Sequence, residues 1–512
     1  MSLKTFTREE VGRHASENDL WIIIDSSVYD MSRFINFHPG GAAPILEMAG
    51  KDATEDFYGL HRQEVLVKYS KYKIGTIANE KAQITIRQNG DFSKVPYGEP
   101  SAWMGFKSPY YKESHYKFRA AIRPIIDELA EEARHFEDTE TKPTDEFMQK
   151  LGSYNLLAAN VGPGPWLRNI TLPGGVTGEE FDYFHELILH EETARWGTRG
   201  AGDGIFGGMV ISIPTVLNFG SPALKAKIVP EVFSGKKRIC LAITEPYAGS
   251  DVASIRTTAK KTADGKHYIV NGVKKWITGG MYCQYADYFS TAVQTENGMS
   301  MLLIDRSDDV ETKAIKTSYS SSAGTSYIIF ENVKVPVENL LGKEDRGFMV
   351  VLSNFNHERW VMITSVSMAA RIVIEECFKW ANQRKVFGKR LIDQPVIRNK
   401  LAVMVAELES FHNWVENITY QMCHMGYKEQ SEKLAGPLAL CKYQSTRMLH
   451  NVSDSACQIF GGRALTKTGM GKHIEMLQRT YKFSAILGGA EEIMADLGVR
   501  QAMKSFPAGA RL

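Results

Sequence analysis

The sequence predicts a multidomain protein in which a small N-terminal α+β domain precedes a helical domain, a β-sheet domain and a second helical domain. Three changes of pattern along the 512 residues indicate this order. A strand-turn-strand pattern with two short helical segments gives way to apolar residues spaced three and four apart. Alternating β-branched segments follow, and then the helical spacing returns. With 43% hydrophobic residues, the chain can fill several cores.

The N-terminal domain is predicted over residues 1–77. The segment WIIIDSSVYD, from Trp21 to Asp30, has the pattern of two strands joined by a turn. The later segment AAPILEMAGKDATEDFYGL predicts two short amphipathic helices separated at Gly50. Asp52 or Thr54 is the expected N-cap of the second helix.

The rest of the chain divides by composition and periodicity. Residues 78–101 are polar and predict a linker, or an arm lying on the next domain. Helical spacing over residues 102–237 is clearest in YYKESHYKFRAAIRPIIDELAEEARHFE. Residues 238–345 contain β segments such as KHYIVNGVKKWIT, residues 346–506 are again helical, and residues 507–512 form a tail.

The composition argues against several classes of function. A formal net charge of +2 indicates no general attraction to nucleic acid. No apolar run approaches the roughly 20 residues of a membrane-spanning helix, and the polar start lacks the apolar stretch of a secretory signal, so we expect a soluble protein. The six cysteines have no C-x-x-C spacing, which indicates neither a zinc site nor a disulfide framework.

Two histidines in the N-terminal domain form a candidate metal site. His38 begins a His-Pro-Gly-Gly run, which favours a tight turn with close backbone approach, and His61 follows the second predicted helix. Taken singly, the two histidines also fit a surface turn and a helix end. Two such helices could carry both imidazoles to one iron from opposite faces. An iron with both axial positions filled has no open site for oxygen or substrate.

The segments VYDMSRFINFHPGG and AGKDATEDFYGLH resemble the cytochrome b5 haem-binding module over roughly residues 1–77. The resemblance implies haem b as a cofactor, with His38 and His61 as its metal ligands. The implied work of this domain is one-electron transfer.

The segment ITEPYAGSD at residues 243–251 leads from a strand into a Pro/Gly turn that exposes backbone amides and hydroxyls. It resembles the T-E-P-x-A-G-S-D motif of the acyl-CoA dehydrogenase family, and WITGG at residues 276–280 resembles the family's W-I-T-N-G. The resemblance covers roughly residues 103–506. It implies the acyl-CoA dehydrogenase fold, with an α-helical domain, a β-sheet domain and a C-terminal four-helix-bundle domain. The implied FAD-binding residues here are Ile243, Thr244, Gly249, Ser250, Trp276, Ile277 and Thr278, and Ser250 would also lie near the CoA arm of the substrate.

Two later motifs extend the resemblance. RKVFG, from Arg384 through Phe387 to the following glycine, is similar to the family's R-x-x-F-G, whose arginine pairs with the cofactor's pyrophosphate. QIFGG, with Gln458, Gly461 and Gly462, is similar to Q-x-x-G-G, whose glycines permit close approach of the adenosine half. Because the family's arginine typically reaches the cofactor from another subunit, the resemblance implies a homodimer or homotetramer.

The implied reaction is α,β-dehydrogenation of an acyl-CoA thioester, in which a carboxylate removes the α-proton and the β-hydrogen leaves as hydride to the flavin. Many family members supply this base from a segment that here reads ILGGA, which places Gly488 at its position. A minority place a glutamate before an arginine on a central helix, and Glu358 followed by Arg359 matches that pattern. The rival bases are Glu491 and Glu492, and Glu492 is also a candidate flavin contact.

Two further residues take roles from the same resemblance. The backbone amide of Gly488, with a ribityl hydroxyl of FAD, is expected to bind the thioester carbonyl. Arg359 is a candidate substrate-binding residue.

Three functions follow from these residues. The first is an acyl-CoA dehydrogenase that passes its flavin electrons to the fused haem domain and on to an unidentified terminal acceptor. The second is an oxidase that acts on a thioester or a nitroalkane and uses oxygen. The third is a catalytically silent haem and flavin-binding protein. The ending Ala510-Arg511-Leu512 is similar to the Ser-Lys-Leu address and predicts a peroxisomal location, or otherwise a cytoplasmic one.

Overall fold

A computed structural model describes residues 4–84, 87–280, 286–510 and 512. Cys283 and Arg511 lie outside the described residues, so the predicted C-terminal address is not tested by the structure. The chain forms two compact units. The first contains Met1–Gln88, Glu376–Leu401 and Ala456–Met476, and the second contains Asn89–Glu375, Ala402–Ser455 and Leu477–Leu512.

The N-terminal part of the first unit is a small sheet covered by short helices. Its sheet has the strand order β1-β5-β4-β3-β2, with β1 parallel to β5 and the other pairs antiparallel. The strands are β1 Lys4–Phe6, β2 Ala15–Ser16, β3 Asp19–Ile24, β4 Ser27–Asp30 and β5 Lys73–Ile77, and the helices are α1 Arg8–Gly12, α2 Ala43–Glu47, α3 Thr54–Leu60 and α4 Glu64–Lys68.

The structure confirms the strand-turn-strand prediction between Trp21 and Asp30. Asp25 and Ser26 form the turn with φ of 44° and 63°, values that suit a two-residue hairpin loop. The break between α2 and α3 contains Gly50 at φ 73°.

The predicted N-cap of α3 is wrong by position, because Ala53 occupies it. Asp52 still caps the helix, since its Oδ1 accepts a hydrogen bond from the backbone N–H of Thr54 at 3.0 Å. Asp52 therefore caps the helix from the position that precedes the N-cap residue.

The remaining segments of the first unit come from the C-terminal part of the chain. They include the end of α13 (Phe355–Gln383), a hairpin of β15 (Lys385–Val386) and β16 (Lys389–Arg390), and the start of α14 (Pro395–His424). They also include the end of α16 (Ala435–Phe460) and the start of α17 (Lys472–Ile486).

The second unit begins with a helical segment. Its elements are α5 Glu113–Asp138, α6 Asp145–Ser153, α7 Leu156–Ala159, β6 Thr171–Leu172, β7 Val176–Thr177, α8 Tyr183–Ala194, α9 Arg199–Gly207, α10 Ile213–Phe219 and α11 Pro222–Phe233. Among the described residues, Arg199–Phe219 is long and apolar enough to cross a membrane by length and composition alone, and 61% of its most apolar window is buried in the protein. A buried core helix has the same properties.

The β domain is a seven-stranded sheet that lies between the helical segments in the sequence. The described strands pair in the order β12-β11-β9-β10-β14-β13, and β8 pairs with β11. They are β8 Ile239–Ala242, β9 Thr258–Lys261, β10 His267–Ile277, β11 Tyr288–Gln294, β12 Met299–Asp305, β13 Val310–Ala314 and β14 Ser326–Pro336. Their inward side chains, such as Val270, Phe289 and Phe330, form one apolar core. Helices α12 Gly347–Leu352, α15 Tyr427–Lys433 and α18 Glu491–Met503 complete the chain.

The polar segment at residues 78–101 is tied down at both ends. In the first unit, the Asp25 carboxylate accepts hydrogen bonds from the backbone N–H groups of Gln83 and Ile84, at 2.8 and 2.9 Å. In the second unit, the buried carboxylate of Glu99 pairs with Arg119 and Arg123, at 3.1 and 2.7 Å. The second half of the segment is therefore an arm lying on the helical domain, as one of the two predictions described it.

Candidate active site

The candidate base, Glu358, lies in the first turn of α13 and is half-buried. Its carboxylate makes no hydrogen bond or ion pair with the described residues, although Lys442 and the adjacent Arg359 lower its pKa through their charges. Burial is the larger effect and raises the pKa of Glu358 above its ordinary value. An unpaired carboxylate with a raised pKa has the properties that proton abstraction requires.

Gly488 faces this carboxylate. A β-carbon placed on Gly488 would lie 3.5 Å from Oε1 of Glu358 and would overlap the sulfur of Met362. The backbone of Gly488 has φ 64°, in the left-handed region that favours glycine. The structure therefore brings together the two residues that the sequence assigned to the chemistry.

A buried lysine holds the turn that contains Gly488. Lys442 is 1% exposed, and its ammonium donates hydrogen bonds to the carbonyl oxygens of Ser484 at 2.6 Å and Gly489 at 2.8 Å. Burial lowers the pKa of Lys442 to about 8. Lys442 was not predicted from the sequence, where its signal is a lysine inside the apolar run GPLALCKY.

The rival bases are placed differently. Glu491 is buried, and its carboxylate accepts a hydrogen bond from the Thr446 hydroxyl at 2.8 Å and pairs with Arg447 at 3.1 Å. Although burial opposes ionisation, these partners hold the pKa of Glu491 below its usual value. Glu492 is exposed. A carboxylate that is already paired and has a lowered pKa is a poor base.

Beside the candidate base, His357 belongs to a buried polar cluster. Its Nε2 lies 2.7 Å from Oε1 of Glu186, which also lies 3.1 Å from Nε2 of His190. Burial opposes the charged imidazolium, but the Glu186 carboxylate raises the pKa of His357. This cluster ties the start of α13 to α8, which fixes the backbone next to Glu358. Its members were not singled out from the sequence.

Arg359, the candidate substrate-binding residue, stacks its guanidinium over the Phe355 ring at 5.3 Å. Its Nε is buried and has no hydrogen-bond partner among the described residues. A buried donor without a partner leaves Arg359 able to bind a ligand acceptor.

The predicted flavin segment at residues 243–251 is held by a buried ion pair. Lys274 on β10 donates to Oε1 of Glu245 at 2.7 Å and to the carbonyl oxygen of Ile243 at 3.0 Å. The Glu245 carboxylate also accepts from the backbone N–H groups of Arg256 and Thr257. Burial lowers the pKa of Lys274 to about 8. These bonds fix the backbone of the motif.

Beyond this anchor the motif opens to solvent. Gly249 and Ser250 are exposed, and Thr244 is half-buried. The carbonyl oxygen of Thr244 accepts a hydrogen bond from the backbone N–H of Lys275 at 2.8 Å. The backbone groups of Gly249 and Ser250 and the hydroxyl groups of Thr244 and Ser250 can therefore bind a ligand.

The second predicted flavin segment ends strand β10. Trp276 has φ 66° and is 52% exposed, whereas its neighbour Ile277 is buried. Thr278 is half-buried. A bulky residue held in the left-handed region is uncommon and often marks a ligand site. The exposed indole offers a face on which a flat ring can stack.

The two remaining motifs lie together in the first unit. Arg384 follows the end of α13 and is half-buried, and Phe387 at the tip of the β15–β16 hairpin is 95% exposed. Gln458, Gly461 and Gly462 are exposed at the end of α16. The rings of Trp380 and Phe460 stack at 5.4 Å and join the two motifs.

The structure therefore divides the predicted flavin residues between the two units. Those before residue 300, together with Glu492, belong to the second unit, and those in the R-x-x-F-G and Q-x-x-G-G motifs belong to the first.

The two predicted metal ligands face each other. The ring centroids of His38 and His61 are 5.8 Å apart. Nδ1 of His38 lies 2.7 Å from the carbonyl oxygen of Gly41, and Nδ1 of His61 lies 3.2 Å from that of Phe57. Such bonds fix the tautomer and leave Nε2 available to a metal. Two metal–nitrogen bonds of about 2 Å fit between rings at this separation.

The surroundings of this pair also fit a haem. Burial lowers the pKa of His61, which favours the neutral imidazole that binds a metal. Phe37 and Leu60, the neighbours of the two histidines, are apolar yet largely exposed. A porphyrin bound between the rings would cover apolar surface of this kind.

Comparison with known proteins identifies the chain. Residues 7–78 match the family described as cytochrome b5-like haem/steroid binding domain. Residues 112–236, 240–333 and 345–503 match the N-terminal, middle and C-terminal domains of acyl-CoA dehydrogenase.

Named relatives and solved structures agree with these matches. The chain is 39% identical to acyl-CoA dehydrogenase apdG of Emericella nidulans over 82% of this chain and 97% of that protein. It is 27% identical to the mitochondrial long-chain specific acyl-CoA dehydrogenase of Sus scrofa, over 76% and 87%. An acyl-CoA dehydrogenase structure from Geobacillus kaustophilus matches with a TM-score of 0.67 and 26% identity, over 77% and 100%.

The chain therefore belongs to the acyl-CoA dehydrogenase family and carries a fused cytochrome b5-like domain. The predicted fold class, the class of oxidoreductase and the cofactors FAD and haem are confirmed at the level of these families.

Proposed function

We propose that this protein oxidises an acyl-CoA thioester between its α and β carbons and passes the electrons, one at a time, to the fused haem domain of its own or a neighbouring subunit. When bound, FAD supplies the acceptor for the hydride, and the haem iron supplies a one-electron acceptor. The observation that carries the proposal is the unpaired, half-buried carboxylate of Glu358 opposite Gly488.

Glu358 would remove the α-proton. Its raised pKa makes its ionised form a stronger base than the carboxylate of an exposed glutamate. The backbone N–H of Gly488 would donate to the thioester carbonyl oxygen, which gains negative charge as the proton leaves. Lys442 would keep that amide in place by holding the carbonyl oxygens on either side of it.

The fusion of the two domains supports the haem as the electron acceptor. Linking an acceptor to the dehydrogenase in one chain raises its effective concentration without any further binding step. With His38 and His61 as its two ligands, a haem iron would be suited to electron transfer rather than to oxygen chemistry.

Assembly into a homodimer or homotetramer is part of the proposal. Phe387 stands almost fully exposed on a hairpin tip in the isolated chain, beside the half-buried Arg384. An exposed aromatic residue in a cofactor motif is suited to contact with a second copy or its cofactor. Sedimentation of wild type and Phe387→Ala should show an oligomer that the substitution weakens, and a monomeric wild type would contradict this.

The function can be tested with anaerobic mixing of the purified holoprotein with short, branched, medium and long acyl-CoAs. Bleaching of the flavin followed by the appearance of reduced haem supports the proposal. Stoichiometric peroxide in air with the haem left oxidised would instead show an oxidase. Normal cofactor spectra without turnover on the whole panel would show a binding protein.

A further inference from the structure

The haem domain contacts the C-terminal dehydrogenase domain through the helix that carries a haem ligand to its position. Both sides of this contact lie in the first unit. Helix α3 ends at Leu60, directly before His61. On one side are Glu55, the Tyr58 carbonyl and Arg62, and on the other are Glu376 and Gln383 of α13 and Lys385 of the β15–β16 hairpin. We call these six residues the docking surface.

One end of the docking surface is a largely buried ion pair. The guanidinium of Arg62 forms two bonds with the Glu376 carboxylate, and the two side chains are 15% and 12% exposed. Burial opposes ionisation, but Arg62 lowers the pKa of Glu376 to about 2. Arg62 also donates to the carbonyl oxygen of Met470 at 3.4 Å. Removing one partner of such a pair leaves a buried charge uncompensated, which is strongly unfavourable.

Two further contacts define the orientation. The Gln383 side-chain amide donates to the carbonyl oxygen of Tyr58 at 2.6 Å, and Lys385 pairs with Glu55 at 2.6 Å. Glu55 and Tyr58 are three residues apart on α3, and Arg62 follows the end of that helix. The haem domain contributes the acid at one end and the base at the other. A reversed orientation would place like charges together, so the pattern selects one arrangement.

The contact is also continuous with a cofactor motif. Lys385 is the second residue of the R-x-x-F-G segment, and Gln383 directly precedes it. The residues that hold the haem domain therefore adjoin Arg384.

We propose that the docking surface is a specific contact within one chain that positions the haem for electron transfer: it holds the His61 side of the haem domain beside the Arg384 hairpin and sets the rate of haem reduction. The inference rests on the proposed function. Each acyl-CoA oxidised yields two electrons, and one ferric haem accepts one. The flavin therefore reduces the haem twice per turnover, and after each electron the haem is reoxidised by an external one-electron acceptor, for which ferricyanide is the probe.

The test uses the full-length holoprotein with Arg62→Glu, Glu376→Arg and the charge-reversed double variant. Stopped-flow absorbance follows flavin bleaching and haem reduction with the acyl-CoA of the panel that bleaches the flavin fastest. We expect each single variant to bleach its flavin at the wild-type rate but to reduce its haem about ten-fold more slowly, and the double variant to recover most of that loss. Arg13→Glu is the matched control, because Arg13 pairs with Glu9 on the exposed surface of the same domain.

Hydrogen exchange of peptides covering residues 54–64 and 376–391 reports docking independently of electron transfer. Exchange should increase in both peptides in the single variants and not in Arg13→Glu. If a single variant loses flavin or haem, Glu55→Gln is used in its place as a milder change. We expect it to slow haem reduction about two-fold.

Unchanged exchange in all variants, or unchanged haem reduction despite increased exchange, overturns the inference. If the flavin never reduces the haem in wild type while hydrogen exchange responds as expected, the proposed function is contradicted. The docking surface is then still supported as a contact between the two domains.

Discussion

The carboxylate of Glu358 lies 3.5 Å from the point that a β-carbon on Gly488 would occupy. The resemblance places a glutamate at position 488 in many relatives, so the two candidate positions for the base converge on one place in this fold. Here the space beside Gly488 is taken by Glu358 and by Met362. A side chain at position 488 would therefore collide with Met362 and crowd the base, whereas glycine fits.

Replacing Glu358 with glutamine should abolish most turnover. The amide has nearly the same shape but does not accept the α-proton, so we expect kcat to fall by about 10²- to 10⁴-fold. Flavin and haem content should stay unchanged, as measured by absorbance after purification. Glu491→Gln is the comparison, because that carboxylate is already paired. Near-normal turnover in Glu358→Gln would place the base elsewhere.

The pH dependence should show the raised pKa of Glu358. The base acts only when ionised, so kcat/KM should fall as the pH drops through a pKa above about 4.3, the ordinary value for glutamate. The same shift bears on stability. A carboxyl whose pKa is higher in the folded state loses stability as the pH rises through the interval between its unfolded and folded values.

Glu358→Gln should therefore unfold at the same or a higher temperature than wild type at pH 7. Thermal unfolding of the two proteins at pH 4 and pH 7 checks the sign. A lower unfolding temperature for the variant at pH 7 alone would contradict it.

Gly488→Ala tests the steric argument. The alanine would adopt an unfavourable backbone conformation and displace Met362, so we expect a loss of about 1–3 kcal/mol in the free energy of unfolding together with lower turnover. Gly265→Ala is a matched control, because Gly265 has φ 69° and nothing within 4 Å of its added β-carbon. Adding Met362→Ala should recover part of the turnover lost in Gly488→Ala. Equal effects of the two alanine substitutions would show that crowding at 488 is unimportant.

Local motifs made most of this fold and its candidate site predictable. ITEPYAGSD, WITGG and the glycine at 488 each carry their information within a few residues, and the histidine pair is marked by its flanking turn and helix. The predicted N-cap of α3 was one residue away from the observed one. Asp52 and Thr54 both fit a capping pattern, but Ala53 between them occupies the N-cap position.

Side chains that act on distant segments were not predictable. Lys274 and Glu245 are 29 residues apart, and Lys442 acts on a turn 42 and 47 residues away. Arg62 and Glu376 are 314 residues apart. In the sequence, the apolar run around Lys442 indicates burial but not its partners, and the other four charges look like ordinary surface residues, because the partners are set only by the fold.

Lys274→Met should weaken flavin binding. The change leaves the Glu245 carboxylate buried without its cation, which typically costs about 3–5 kcal/mol. The motif at residues 243–251 should loosen, and the purified protein should contain less FAD per chain by absorbance. Lys274→Met combined with Glu245→Gln removes both charges and should recover part of the loss. Full FAD content in the single variant would show that the pair does not support the cofactor.

Replacing His61 with alanine should remove the haem and leave the dehydrogenase half intact. His61 and His38 each have Nδ1 bound to a backbone carbonyl, so each has one nitrogen to offer the iron, and losing either leaves an incomplete site. We expect a normal flavin spectrum, little haem, and acyl-CoA oxidation that proceeds with an artificial acceptor such as phenazine methosulfate. His14→Ala is the control, because His14 lies in the same domain and contacts Trp21 and Asp19 instead of the histidine pair. Full haem content in His61→Ala would show that the iron takes its second ligand from another residue.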